Sequence, residues 1–291
     1  MDVRDQRTNS VIIVYDDTNA VYEAAARACA ASLKTVAHVS RIRLKKLKRE
    51  ITSGRAGALT LYIAVGARSA KALATSIPES SPLLYCMVSS PERLGLLDRP
   101  ATGGVRADVS PATQLALLHR AFPKAKTIGV LFRNSSAVSR SALQRAAATT
   151  PDGVRLVTVD VDAKGSITAA LDALFRSQID TLWTIADPAV FNAASVRATL
   201  LRSLQEQIPI FGFSMPLVRA GAAIGVNVSP EAQGRQVAAI AAKVLQDPTG
   251  AAVSQQMEPS IEVVVNSVVL KRLGKTPAST LLADAIEVGN Q

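Results

Sequence analysis

From Val11 onward, short apolar runs rich in β-branched residues alternate with segments of helical periodicity. Such runs read as strands, and the longer amphipathic segments between them as helices. Right-handed crossovers close β-α-β units into a mostly parallel sheet covered by helices, so the chain is predicted to be α/β. Strands are expected at Val11–Val14, Leu59–Val65 and Pro82–Val88, and helices at Ala20–Leu33 and Ser69–Ser76. Gly66-Ala67-Arg68 opens the second helix, and the turn Ser89-Ser90-Pro91 follows the third strand. Gly103-Gly104 precedes an extended piece at Val105–Ala107. The helix at Pro111–Phe122 has proline in its first turn, where a missing N–H does no harm.

A second cycle begins at Thr127, with strands Thr127–Phe132 and Val154–Val159 and helices Ala137–Ala148 and Ile167–Ser177. The stretch Ile179–Gln236 is the most informative. An apolar strand ends in a lone acid, Asp187; a helix and the strand Ile208–Phe213 follow. That strand opens into Ser214-Met215-Pro216, then a helical turn, Gly221 and a third strand. Small polar groups at the carboxyl edge of an open α/β sheet mark a ligand site. Beyond Asn227 come a helix at Ala232–Leu245, the turn Asp247-Pro248-Thr249-Gly250 and a last strand, Ile261–Val265. A short helix around Val269–Leu273 is closed by Gly274. Two successive blocks predict two lobes, to which the late helix and strand return.

At 291 residues the chain has room for two domains, and 48% apolar with 19% charged residues excludes general disorder. No apolar run approaches the ~20 residues that span a bilayer. The start, MDVRDQRTNS, has no apolar h-region, which fits a cytoplasmic protein or a mature exported form. Cys29 and Cys86 form neither a disulfide framework nor a metal pattern and read as buried thiols. A net charge of +10 raises the case for nucleic acid or an anionic membrane. Much of it is local, in RIRLKKLKRE: Arg41, Arg43, Lys45, Lys46, Lys48 and Arg49. On a helix these charges spread around the circumference and leave Ile42, Leu44 and Leu47 to pack. With no aromatic interleaved, the run reads as a solvated helix face, and no nucleic-acid partner is expected.

Signals for catalysis are thin. There are two histidines, His38 and His119, without a nearby serine or carboxylate motif. Gly212-Phe213-Ser214-Met215-Pro216 has proline where a nucleophile elbow has its second glycine. No phosphate loop, zinc-binding helix or dinucleotide fingerprint is seen. No catalytic residue, metal or cofactor is expected.

Five words in order carry a resemblance: FPKAKTIGVLFRNSSAVS (Phe122–Ser139), the strand ending at Asp187, IPIFGFSMPLVRAGAAIGVNV (Ile208–Val228), QGRQVAAIAAKVLQD (Gln233–Asp247) and VVVNSVVLKRLG (Val263–Gly274). Together they resemble the ABC-transporter substrate-binding proteins of the tryptophan/tyrosine-binding type. The resemblance implies a type I periplasmic-binding-protein fold, in which two Rossmann-like lobes with parallel sheets are joined by three crossing segments. A small-molecule ligand sits in the cleft and hinge closure follows. The crossings would fall near Gly104–Ala107, Asn227–Ser229 and Met257–Ile261. Lobe 1 is then 10–104 with 229–256, and lobe 2 is 105–228 with 257–285. It also implies a membrane permease as partner, a monomer, and a periplasmic or membrane-anchored extracytoplasmic location. The alternative is a ligand-sensing module feeding a signalling partner. A sugar-repressor-like regulator is set aside, because only ten residues precede Val11 where a DNA-binding headpiece needs about fifty.

Lobe 1 departs from the family pattern. The chain is shorter between its first helix and the strand at Leu59–Val65, where the basic run lies. Gly66-Ala67-Arg68-Ser69 stands for Gly-Thr-Pro-Ala, and Ser90-Pro91 for Asp-Pro. Both turns would face the cleft, so the ligand is expected to differ from an aromatic amino acid.

The resemblance places Asp187 against a ligand ammonium, to which a carboxylate makes charge-assisted hydrogen bonds. Asp187 is equally placed to N-cap a helix starting at Pro188. Ala67, Arg68 and Ser69 begin a helix straight after a strand, a favourable place for an anion, or form an ordinary surface turn. Asn134, Ser135 and Ser136 offer donors at another helix start, or simply cap it. Tyr15, Asp16 and Asp17 share the edge, with Tyr15 able to stack on a planar ligand or to sit in the core. Ser89 and Ser90 belong to the altered turn. Phe213, Ser214 and Met215 form an opposite wall that either lines a pocket or packs.

Overall fold

The computed structural model describes residues 9–47, 49, 60–247 and 253–289. The expected Leu59, Lys48 and Pro248-Thr249-Gly250 lie outside these residues. The chain forms two units, one of 1–109 with 228–260 and the other of 110–227 with 261–291, and passes between them after Val109, Asn227 and Ser260.

The first segment runs β1 (Ser10–Tyr15), α1 (Ala20–Leu33), β2 (His38–Arg43), β3 (Thr60–Val65), α2 (Ala67–Ser76), β4 (Leu83–Val88) and β5 (Thr102–Arg106). The second runs α3 (Pro111–Ala121), β6 (Thr127–Phe132), α4 (Ala137–Ala147), β7 (Arg155–Asp160), α5 (Val161–Lys164), α6 (Ile167–Arg176) and β8 (Thr181–Trp183). It continues through α7 (Ala193–Gln205), β9 (Ile210–Gly212), α8 (Met215–Ala220) and β10 (Ile224–Asn227). The return to the first unit supplies α9 (Pro230–Gln246) and β11 (Gln256–Met257). The last segment adds β12 (Glu262–Asn266), α10 (Ser267–Arg272), α11 (Ser279–Leu282) and β13 (Ile286–Val288) to the second unit.

One sheet has the order β2-β1-β3-β4-β5-β11 and the other β7-β6-β8-β9-β10-β12-β13. All described pairings are parallel except β10 with β12. Both sheets therefore begin with the same doubly wound order. Their topological switch points lie between β1 and β3 and between β6 and β8, where such sheets bind ligands.

In the first unit α1 turns Ala25, Ala26, Cys29 and Leu33 inward, an i, i+1, i+4, i+8 stripe of helical period. It packs on α9 so closely that a Cβ on Gly234 would lie 2.2 Å from the Ala25 carbonyl oxygen. Val237, Ala238, Ile240, Ala241 and Val244 of α9 complete this core. In the second unit Trp183 is buried, and its indole N–H donates to Gln114 Oε1 at 2.9 Å. Gly274 has φ +60 and closes α10 as a Schellman motif, with Gly274 N–H to the Lys271 carbonyl and Lys275 N–H to the Leu270 carbonyl.

Three expectations change. The first half of the basic run is not an α-helix: Arg41 and Arg43 lie on β2, followed by a 3-10 turn at Leu44–Lys46, and α-helical backbone is reached only at Leu47 and Arg49. β2 is an edge strand, where outward charges are tolerated and deter strand addition. Gly103 and Gly104 lie inside β5 rather than before it; Gly104 has φ +152 and a Cβ there would be 2.1 Å from the Tyr85 carbonyl oxygen. The strand at Glu262–Asn266 is not the last, since β13 pairs with it.

Candidate functional site

In the first unit, β1, β2 and β3 run in one parallel register, with Tyr15 level with Arg43 and Val65. The residues that leave these strands therefore gather on one carboxyl edge. Tyr15 is buried and packs in the core. Asp16 is 4% exposed. Its Oδ1 accepts from the Thr18 amide (3.1 Å) and hydroxyl (2.8 Å), and its Oδ2 from an Arg68 guanidinium N–H at 2.8 Å. Burial alone would raise its pKa, but the Thr18 donors and Arg68 together hold it below the usual carboxylate value. Asp17 Oδ2 lies 2.7 Å from Lys45 Nζ and 4.0 Å from Arg43, and the Lys45 hydrogen bond is the main reason its pKa is low.

Gly66, at φ +90, N-caps α2 without a side chain, and a Cβ there would press on the Tyr22 ring at 3.1 Å. Ala67 and Arg68 form the first turn, with the Arg68 side chain exposed. Ser69 is fully buried, and its hydroxyl has no hydrogen-bond partner among the described residues. Ser89 is exposed, whereas Ser90, at φ 54, caps the 3-10 turn Pro91–Leu94 and turns its N–H to Asp108 at 3.5 Å. Met87 also has positive φ, 57, and its N–H donates to the Gln233 side chain at 2.7 Å. Gln233 in turn donates to the Arg106 carbonyl at 2.8 Å, pinning this strained end of β4 to β5 and α9.

In the second unit, Arg133 leaves β6, donating from Nε to the Ala189 carbonyl at 2.7 Å and from its guanidinium to Asp162 Oδ1 at 2.5 Å. Asn134 N–H donates to Asp160 at 3.2 Å, and Ser135 donates from N–H (2.9 Å) and hydroxyl (2.7 Å) to Asp162 Oδ2. Asn134 and Ser135 are thus engaged by the acids that end β7 and open α5, respectively. Ser136 caps α4.

Asp187 is 2% exposed. Its Oδ2 accepts from the Ser139 hydroxyl at 2.6 Å and its Oδ1 from the Ala189 amide at 2.9 Å. Burial raises its pKa, while Ser136, Ser139 and the Ala189 N–H outweigh that and leave it lowered. No Lys or Arg nitrogen lies within 4.0 Å of it among the described residues. Its charge rests instead on the first turn of α4, where helix dipole and serine donors favour an anion. Asp187 does not N-cap a helix at Pro188. A turn follows it, and α7 begins at Ala193 with a reciprocal capping box between Asn192 and Ser195. Phe191, whose N–H donates to the Asp187 carbonyl at 2.8 Å, sets its ring 6.3 Å from that of Phe213. Phe213 and Met215 pack on the core and Ser214 starts α8 without a side-chain hydrogen bond.

The structure thus joins Asp16 to Arg68, and Asp187 to Ser136 with Ser139. The polarity of the two switch points is reversed. In the first unit the acid follows the first strand and the base the third; in the second the base, Arg133, follows the first strand and the acid, Asp187, the third. Sequence reasoning missed Arg43, Lys45 and Ser139. The first two were hidden by the helical reading. The signal for Ser139 is its place three residues after the capping Ser136, where a side chain reaches back over the helix start.

A family model described as ABC transporter substrate binding protein matches residues 32–289. The chain belongs to this family. Among solved structures, this substrate-binding protein is similar to a substrate-binding protein with adhesive properties from Clostridium difficile, in its ligand-free, open form. The TM-score is 0.75 at 20% identity, covering 98% of this chain and 100% of that one. It is also similar to an ABC domain in complex with L-Trp from Streptococcus pneumonia (TM-score 0.61, 17% identity, 97% and 99% covered). A periplasmic ribose ABC transporter protein from Conexibacter woesei gives 0.57 at 14% identity, with 92% and 95% covered. At such identities the likeness establishes the type I periplasmic-binding-protein fold. Among curated proteins no sequence matches. No helix of the described residues is long and apolar enough to cross a membrane.

Proposed function

We propose that this substrate-binding protein captures a small amphiphilic solute with a cationic and an anionic end, an amino acid or related compound, using residues at the carboxyl edges of its two sheets. It then presents the solute to an ABC-transporter permease outside the cytoplasm, by hinge closure and without catalysis. The observation that carries the reading is the reversed polarity of the two switch points, which offers an acid from one unit and a base from the other. Asp187 is the acid: an ammonium would be its first full positive partner, since its present donors are hydroxyls and an amide. Arg68, at the start of α2, is the base for a carboxylate or similar anion. Phe213 and Met215 border the Asp187 side.

A thermal-shift panel over amino acids, purines, small sugars and carboxylates tests this, with native mass spectrometry for any co-purified solute. A zwitterion at a hundred times its Kd should stabilise the protein by about 2.7 kcal/mol. Asp187→Asn, which keeps the shape and removes the charge, should weaken that binding by about tenfold or more. A response to neutral sugars alone, or equal affinity in the variant, refutes the reading.

A further inference from the structure

We infer that the anionic end of the solute is a tetrahedral oxyanion, a phosphate or phosphonate, and that Arg43 and Lys45 bind it together with Arg68. The inference rests on the function proposed above and specifies the chemistry of its anion-binding end. It begins from the basic run, whose centre the parallel register of β2 delivers to the switch-point edge. Three cations meet two consecutive carboxylates there: Arg68 on Asp16 at 2.8 Å, and Lys45 and Arg43 on Asp17 at 2.7 and 4.0 Å. Glu23 in the first turn of α1 adds a weaker attraction at Arg43.

The acids lie beneath and the bases outside. The Asp16 and Asp17 side chains are 5% and 20% exposed, against 52%, 61% and 70% for Arg43, Lys45 and Arg68. The carboxylates anchor the cations without exhausting them. Arg68 commits one guanidinium nitrogen, Lys45 one of three ammonium donors, and Arg43, beyond hydrogen-bond distance of Asp17, is held by a side-chain hydrogen bond to Tyr15 that uses part of its five-donor fork. The first turn of α2 has no side-chain cap, and within it the buried Ser69 hydroxyl has no partner among the described residues. A carboxylate has two oxygens and one arginine fork satisfies both. A phosphoryl group has three terminal oxygens, enough for three separate cations and the uncapped helix start.

The test is calorimetric titration with inorganic phosphate, methylphosphonate and acetate at matched ionic strength. Phosphate and methylphosphonate should bind at least about tenfold tighter than acetate. The double variant Arg43→Met/Lys45→Met should lose that preference while its unliganded melting curve is retained, and Lys45→Gln alone should lose part of it. Phosphate affinity within tenfold of acetate, or unchanged in both variants, overturns the inference. If plain amino acids bind while phosphate shows no preference over acetate, this inference falls and the proposed function stands. If phosphate binds through these cations while no zwitterion registers, the inference stands and the proposed function falls.

Discussion

The Ser139–Asp187 pair allows a test of how much of Asp187's role is structural. Removing the Ser139 hydroxyl takes a 2.6 Å bond from a buried carboxylate and an acceptor from the Arg133 amide at 3.2 Å. A hydrogen bond to a charged group is worth about 1.5–3 kcal/mol, so Ser139→Ala should cost about 2 kcal/mol. Asp187→Ala also frees the Ala189 amide and should cost about 3.5 kcal/mol. The double variant should cost about 4 kcal/mol rather than about 5.5, because the shared bond is lost once, a coupling of about 1.5 kcal/mol. The assay is provided by the chain itself. Trp183 is its single tryptophan, is buried and belongs to the second unit, so fluorescence-detected urea unfolding reads that unit. Costs that add to within about 0.5 kcal/mol would show that the two residues act independently and refute the reasoning.

Acid should weaken the protein through Asp16 and Asp187. Their folded pKa values are depressed, so the stability they contribute is present above the unfolded value near 3.8 and is lost as pH falls through the folded ones. Asp16→Asn should flatten the low-pH limb of a stability–pH curve; an unchanged limb counts against the Arg68 and Thr18 contacts. At Gly104, alanine would meet the Tyr85 carbonyl at 2.1 Å with φ +152, and should cost about 3 kcal/mol or more in the first unit. Hydrogen exchange at β4 and β5 would reveal it, and native-like protection there would contradict so close an approach of the two strands.

Much of the fold was readable because it rests on periodicity. α1 lies at Ala20–Leu33 and β6 at Thr127–Phe132, as their patterns indicate, and Gly274 ends its helix through a left-handed residue. β2 escaped because Ile42 is its one deeply buried residue, and an edge strand with a single inward anchor lacks the apolar alternation that identifies a strand. The site was legible in location and less so in partnership. Arg68 and Asp16 are 52 positions apart, Ser139 and Asp187 48, and such pairings are set by strand order rather than local pattern. Asp187 before Pro188 mimics a helix start, but the turn after it moves that start to Ala193, where Asn192 does the capping.

The placement of α9 bears on how the chain reaches its native state. The sheet formed by the first hundred residues lacks Val237, Ala238, Ile240, Ala241 and Val244 until the ribosome has passed the whole second unit's central segment. The nascent N-terminal portion therefore carries an uncovered apolar face while residues 110–236 are being made, a state that delays closure of the sheet and favours engagement by chaperones. A chain stopped after Val109 would expose that face permanently, whereas a rearranged chain that joins 228–260 directly to 1–109 would contain every residue of the first core in one continuous stretch.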